Sequence, residues 1–511
     1  MGKKGGGGKR ASASSVASVS TSETVATYTF ARGLAVTLAV AMGLLRSVLR
    51  APTIADTATL EGLIARSANG GDLDSILGSV AAPSAVPRVQ WDPNEPLAPW
   101  LGRLHVPVVF NASQIDRWPA RLDFTLDFLE RELPTMLKAD VSKSSGTMVY
   151  RDNKMQAVEL AKSLGNSVGL RTHTTKQIPK EDFFQAVRSG EPFVRHGGGL
   201  AAWAGGDTKL VDHVPDWQAL AADPPPHFDQ SLLDPHDVAV LVPRKSQIGA
   251  RQLDIWIGGA GIRTTAHLDP HNNVFTQIHG VKRFVLSPPS DYRHFDMFPT
   301  THPHTRQAQT HYDNAPSGLN VRCMTVDLQP GELLWLPAFW VHAVDALTPT
   351  ISVSVVSPGT ESLLFENIQA GGLLTTMPFL GGKTVGWDVF RLASTFRVFI
   401  PALLKGMESR LGEDFDVLEV IKQRMWSPAV RQDLGVNANA RFPCGETAPE
   451  DKDAALAAVP RAVARFAPLR DETLGIFVVM YIELLQSHIK LPLGVGFLEQ
   501  CLDGTQYSGD E

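Results

Sequence analysis

Gly261-Ile-Arg-Thr-Thr-Ala-His-Leu-Asp-Pro-His-Asn-Asn-Val-Phe-Thr-Gln-Ile-His-Gly-Val-Lys-Arg-Phe-Val-Leu-Ser-Pro-Pro289 is the stretch on which the reading of the fold turns. It holds two short runs, Val274–Ile278 and Arg283–Ser287, broken by His279-Gly280. Both are rich in β-branched and aromatic residues and end on turn formers, so both read as strands. Working outward, Leu253–Ile257 lies upstream, and Met324–Leu328, Leu333–Leu336 and Thr350–Val356 lie downstream. Gly258-Gly259, Ser287-Pro288-Pro289 and Pro330-Gly331 punctuate them. Short, regularly spaced, turn-bounded strands predict an antiparallel sandwich or barrel.

The same stretch carries the chemistry. Residues i and i+2 of a strand share a face, so His267 and Asp269 project together into a barrel. His342 follows Trp335-Leu-Pro-Ala-Phe-Trp-Val341, a strand and turn whose end can return beside them. Two imidazoles and one carboxylate leave three coordination positions open, the facial arrangement of non-haem Fe(II) oxygenases. A closed structural zinc site favours thiolates and four protein ligands instead. A bare His-x-Asp also arises where polar residues flank a surface turn, so the neighbouring text has to decide.

That text resembles the JmjC family of cupin-fold oxygenases, both in Gly261–Pro289 and in Leu328-Gln-Pro-Gly-Glu-Leu-Leu-Trp-Leu-Pro-Ala-Phe-Trp-Val-His342. The likeness is strongest over 251–357 and reaches back more weakly to Val106. Within the family it points to the protein-hydroxylase branch, which includes the asparaginyl hydroxylase acting on hypoxia-inducible factor. The resemblance implies a mainly β fold: a double-stranded β-helix core, flanking N-terminal α/β elements and a C-terminal helical region. It implies Fe(II) on His267, Asp269 and His342, with O2 and 2-oxoglutarate as co-substrates. The distal carboxylate of 2-oxoglutarate would sit on Lys282, helped by Thr264, with Asn273 lining the pocket. A buried carboxylate needs a charge partner, which suits Lys282, although adjacent Arg283 makes a surface hairpin charge an alternative. Strict alternation places Thr265, not Thr264, with His267. Trp256 either lines the pocket or belongs to the core.

Arg306 and Gln307 fall where the family's loop meets substrate. His302, His304 and His311 read as loop histidines rather than a second metal site, since their spacing fits no ligand pattern. One departure stands out: Val356 occupies a place where the hydroxylase branch usually carries Asn, which puts turnover in doubt rather than metal binding. The implied reaction is hydroxylation of a protein side chain with release of succinate and CO2. Alternatives are a catalytically weak or inactive cupin-fold scaffold, a histone or protein lysine demethylase, and a non-oxygenase cupin.

The rest of the chain sets bounds. Of 511 residues, 43% are hydrophobic and 20% charged, which excludes wholesale disorder and a multi-span membrane protein. A net charge of −6 gives no nucleic-acid footprint, and three cysteines exclude a disulfide scaffold. Residues 1–50 hold seven bases and one acid, a net +6 that leaves −12 for 51–511. This basic, Ser-rich start reads as a targeting or membrane-anchor segment over 1–55, with residues 28–49 as the membrane-associating part. Its apolar run, Leu34–Leu45, is shorter than the ~20 residues of a span. A signal peptide or anchor, an organellar transit peptide and an amphipathic arm all fit, so a secretory, membrane-anchored or organellar location is expected. Asn111-Ala-Ser113 is a glycosylation sequon.

A flexible linker is expected over 56–90, with a short helix near Thr57–Ser67, then an N-terminal part of the domain over 91–250 and the β-helix core over 251–360. His105–Phe110 reads as a strand, and Leu122–Leu133 and Lys180–Arg188 as helices. Asp216–Val240 is mostly irregular around Pro224-Pro225-Pro226. Residues 361–511 read as helical, with Ile476–Leu485 apolar nearly all round and therefore buried, in a core or in an interface. The family likeness suggests a homodimer through these C-terminal helices.

Overall fold

The computed structural model describes residues 60–68, 76–77, 83–91, 96–111, 115–150, 172–200, 210–221, 252–309, 321–369, 389–434, 444–487, 489, 496–498 and 500–502. The expected targeting segment, the Pro-rich 224–226 and His311 lie outside them. Among the described residues no helix is long and apolar enough to cross a membrane.

Fifteen strands are described: β1 (Ser84–Ala85), β2 (Arg88–Val89), β3 (Val108–Phe110), β4 (Met136–Ser142), β5 (Thr147–Met148), β6 (Thr174–Pro179), β7 (Phe193–Gly199), β8 (Gln252–Gly258), β9 (Arg263–Leu268), β10 (Asn272–His279), β11 (Lys282–Ser287), β12 (Met324–Leu328), β13 (Leu333–Leu336), β14 (Val341–Ala346) and β15 (Thr350–Ser357). They form two sheets, β1-β12-β11-β14-β9-β5 and β2-β3-β13-β10-β15-β8-β7-β4-β6. The last eight strands divide four and four between the sheets, and their mutual ladders are antiparallel. This is the double-stranded β-helix the sequence predicts. The core strands read from the sequence reappear within two residues of their expected bounds, whereas the strand expected over His105–Phe110 is formed only by Val108–Phe110. β9 and β14 add the two that carry the metal-type residues.

Phe275, Phe284, Trp335, Ile255, Ile257, Ile351, Val353 and Val355 are buried. Two buried tryptophans fasten the N-terminal segment to this core: Trp335 Nε1 donates to Leu104 O (3.0 Å) and Trp340 Nε1 to His105 O (3.0 Å).

Helices flank the sheets: α1 (Leu60–Ala68), α2 (Ala98–Leu101), α3 (Ala120–Asp123), α4 (Leu126–Glu132), α5 (Lys180–Ser189), α6 (Thr360–Gln369), α7 (Val389–Leu411), α8 (Val417–Trp426), α9 (Pro428–Leu434), α10 (Pro449–Arg465) and α11 (Asp471–Ser487). Two expectations are corrected. The short helix expected near Thr57–Ser67 is present as α1, with Leu60, Leu63 and Ile64 buried, but the flexible linker expected over 56–90 also carries β1 and β2, which extend both sheets in parallel. Small residues that look irregular by periodicity gain order by pairing with existing edges. The single helix over Leu122–Leu133 is two, because Thr125 Oγ1 accepts from Phe128 N (3.1 Å) and caps α4. Leu122 consequently stays 81% exposed.

The C-terminal helices pack around α11, whose Ile476–Ile482 and Leu485 are buried within this chain. Arg424 on α8 donates to Met297 O (2.9 Å) and Phe298 O (2.6 Å). Glu483 on α11 accepts from Thr300 N (2.8 Å) and Thr300 Oγ1 (2.5 Å). The helices thereby hold the 297–309 loop against the barrel. A disulfide joins Cys444 to Cys501 across 57 residues, leaving Cys323 as a buried thiol. A single staple had no signal in spacing this wide.

Candidate active site

His267 on β9 lies directly opposite His342 on β14 in the antiparallel ladder. The ladder thus closes a separation of 75 positions, and the rings sit 4.1 Å apart by centroid. Asp269 follows β9. Its Oδ2 is 3.7 Å from His267 Nε2 and 3.9 Å from His342 Nε2. One ligand atom from each residue falls within 4.8 Å of the others.

Each histidine is turned by its own backbone. His267 Nδ1 donates to Thr265 O (2.8 Å) and His342 Nδ1 to Trp340 O (2.9 Å). A carbonyl only accepts, so the proton sits on Nδ1 and both Nε2 lone pairs face Asp269. Burial lowers both imidazole pKa values, that of His342 to about 4, helped by the neighbouring His267. Neutral imidazoles are the form that ligates metal. Burial pushes the Asp269 carboxyl upward, but His267, Arg306 and His342 together hold it below the ordinary carboxylate range. Arg306 Nη1 donates to Asp269 Oδ1 (2.8 Å), which leaves Oδ2 for the cluster. The backbone is tense on both sides: Arg306 and Phe339 have φ of 68° and 67°, and Phe339 N donates to Asp269 O (2.8 Å). Such conformations cost about 1–3 kcal/mol each and gather at functional sites.

The cluster opens into a cavity of about 700 Å³. Thr264, Lys282, Asn273 and Trp256, the other residues singled out from the sequence, all line it. Thr264 gets there through a bulge. Between His342 and Val344 β14 advances two residues while β9 advances three, from His267 back to Thr264. The extra residue shifts the alternation by one, so Thr264 shares the cavity with His267 and Thr265 is buried. Lys282 and Arg283 part company: Lys282 faces the cavity, whereas Arg283 grips Asp327 through Nε (2.7 Å) and Nη2 (2.8 Å). Burial lowers the Lys282 ammonium to about 7, with Arg195 adding repulsion, and its Nζ lies 4.8 Å from the Phe275 ring centre. Trp256 Nε1 donates to Ser354 Oγ (3.0 Å). Its ring fills the space over Gly197, where a Cβ would come within 2.2 Å of it. Asn273 Oδ1 is buried with no hydrogen-bond partner among the described residues, and its ladder partner is Val356.

Arg306 and Gln307 line the cavity with their polar ends engaged. Gln307 Oε1 accepts from Tyr150 N (2.7 Å) and Nε2 donates to Tyr150 O (2.6 Å), gripping that backbone as a strand would. His302 and His304 belong to this loop, as expected, and both are fully buried. His302 Nε2 meets Asp433 (3.1 Å) and His304 Nδ1 meets Tyr150 O (2.6 Å). Among the cavity residues that sequence reasoning missed are Arg195, Tyr150 and Asp254. None belongs to a motif; the alternation in Phe193–His196 was the only available hint.

The residues present fit a divalent metal and an acidic chelating co-substrate. Two neutral imidazoles and a carboxylate converge without thiolate, and Lys282, without an ion-pair partner among the described residues, lines the same cavity. A model of the cupin-like domain matches residues 105–356. The Jumonji C domain-containing protein 5 of Drosophila melanogaster is 34% identical over 110 residues, 21% of this chain and 27% of that protein. The lysine-specific demethylase JMJ30 of Arabidopsis thaliana is 32% identical over 110 residues, 20% of this chain and 25% of its own. An HSPB1-associated protein 1 homolog of Danio rerio is 34% identical over 114 residues, 20% of this chain and 25% of its own. The aligned stretches thus span about a quarter of each relative. Residues 105–356 are a cupin-like domain of the JmjC family, whose members generally use Fe(II) and 2-oxoglutarate.

Proposed function

We propose that the protein is an Fe(II)- and 2-oxoglutarate-dependent oxygenase that hydroxylates a protein side chain. The observation carrying this is the convergence of His267, Asp269 and His342 on one point of a cavity that also holds Lys282. When bound, Fe(II) with 2-oxoglutarate and O2 supplies the oxidising power for C–H hydroxylation, the co-substrate leaving as succinate and CO2.

The chain's own residues set the conditions. His267 and His342 hold their Nδ1 protons on main-chain carbonyls and offer Nε2 as donors. Asp269 keeps one oxygen on Arg306 and offers the other. His267, Asp269 and His342 would hold the ion from the wall of the cavity that they share. Lys282 supplies the charge that a distal carboxylate needs in a desolvated place, and Phe275 and Phe284 keep water from that end. The half-exposed Tyr150 stands at the mouth, where an incoming side chain would pass.

The test is an anaerobic titration of the full chain with Fe(II) and 2-oxoglutarate, following the visible charge-transfer band. The expected result is a band in the wild type, absent in His267→Ala and in Lys282→Ala. Metal bound by the wild type without a band would sink the oxygenase reading in favour of a scaffold or non-oxygenase cupin. With a candidate peptide, a mass gain of one oxygen marks hydroxylation, whereas release of formaldehyde from a methylated lysine marks demethylation.

A further inference from the structure

Arg195 is a charged cavity residue that no motif announced. It sits on β7 opposite Gly258 of β8, so no side chain from that partner covers it. Its guanidinium is fixed from two sides. Nη2 donates to Asp140 Oδ2 (2.9 Å), its ladder partner on β4, and Nη1 donates to Thr264 Oγ1 (3.0 Å). Nε is buried with no partner among the described residues. Asp140 is itself fully engaged, accepting from Thr175 Oγ1 (2.7 Å) as well.

Two consequences follow. Thr264 Oγ1, having accepted from Arg195, keeps its own hydroxyl hydrogen to give into the cavity. Arg195 and Lys282 both line the cavity, whereas Asp140, the carboxylate that Arg195 meets, does not. An uncompensated charge in a desolvated place is costly until an anion arrives.

We infer that Arg195 is a third element of the anion-binding end of this cavity, receiving the distal carboxylate of the co-substrate together with Lys282 and Thr264. This rests on the oxygenase reading above. Arg195 supplies a fork that is permanently charged, whereas Lys282 supplies a point charge. Asp140 aims the fork, and Thr264 is turned by it into a donor.

The experiment compares two chelators by calorimetry on the full chain loaded with Mn(II) as a redox-silent stand-in. 2-Oxoglutarate carries a distal carboxylate; oxalate chelates the metal without one. The wild type is expected to bind both. Arg195→Gln is expected to weaken 2-oxoglutarate tenfold or more and to leave oxalate unchanged. Arg195→Lys keeps the charge but not the fork, and is expected to lose less than Gln, again for 2-oxoglutarate alone. Unchanged 2-oxoglutarate binding in Arg195→Gln overturns the inference. Parallel loss of both chelators in either variant also overturns it, because Arg195 would then be holding the fold. Failure of the wild type to bind 2-oxoglutarate condemns the underlying oxygenase reading instead, so the two failures are told apart.

Discussion

Lys282 and Arg283 are adjacent, and the pleat sends one into the cavity and the other to Asp327 at the surface. The inner one is an ammonium depressed to about 7 by burial. The unfolded chain therefore binds more protons than the folded chain between pH 7 and the ordinary lysine range. Lys282 thus weakens folding fully below pH 7, and the penalty fades as pH rises through that window. Lys282→Met is expected to raise the melting temperature of the ligand-free protein at pH 7 while abolishing 2-oxoglutarate binding. A melting temperature lowered by Lys282→Met would contradict this. In the wild type, affinity for 2-oxoglutarate should fall as pH rises above 7, approaching tenfold per unit, in calorimetric titrations from pH 6.5 to 8.5. At this scale the convergence of His267, Asp269 and His342 was legible, because His-x-Asp needs only the strand period and His342 follows a recognisable run. The choice between Thr264 and Thr265 was not, since a bulge shifts the phase without changing composition. Arg195 was not legible either: one arginine in a strand says nothing about which face it takes.

Elements place the cavity wall. Trp256 can lie flat over β7 only because position 197 has no side chain. Gly197→Ala is expected to push the indole off Ser354, shrink the cavity and cost about 1–3 kcal/mol as overpacking. A thermal melt and the tryptophan emission would report both effects; a variant with wild-type emission and stability would refute the packing argument. The strands with apolar runs, β8, β10, β11, β12, β13 and β15, were readable from the sequence. β9 and β14 were harder, because Arg-Thr-Thr-Ala-His and His-Ala-Val-Asp carry the polar groups of the site into a barrel interior. The Leu122–Leu133 helix failed as a unit since Thr125 offers a hydroxyl cap that apolar spacing does not register.

At the scale of the molecule, the C-terminal helices are a buttress for the loop bearing Arg306 and Gln307, through Arg424 and Glu483. Their far end is tied by Cys444–Cys501. Closing a loop of this length lowers the entropy of the unfolded chain, worth typically about 2–4 kcal/mol. Reductant is expected to lower the melting temperature of the wild type by a few degrees and to leave a Cys444→Ser, Cys501→Ser double variant unmoved. Equal response of both would mean that the bond contributes nothing. Helicity of this region was readable from period, but its role was not, because the contacts that give it one join residues more than a hundred positions apart.

The carbonyls of Thr265 and Trp340 that turn the two imidazoles belong to the main chain. No side-chain replacement deletes them. An alanine scan would therefore report the ligands as indispensable and the groups that set their tautomers as silent. Part of the centre's robustness is thus invisible to mutation, and drift at positions 265 and 340 can alter neighbouring packing while the aim of both histidines stays inherited from the backbone.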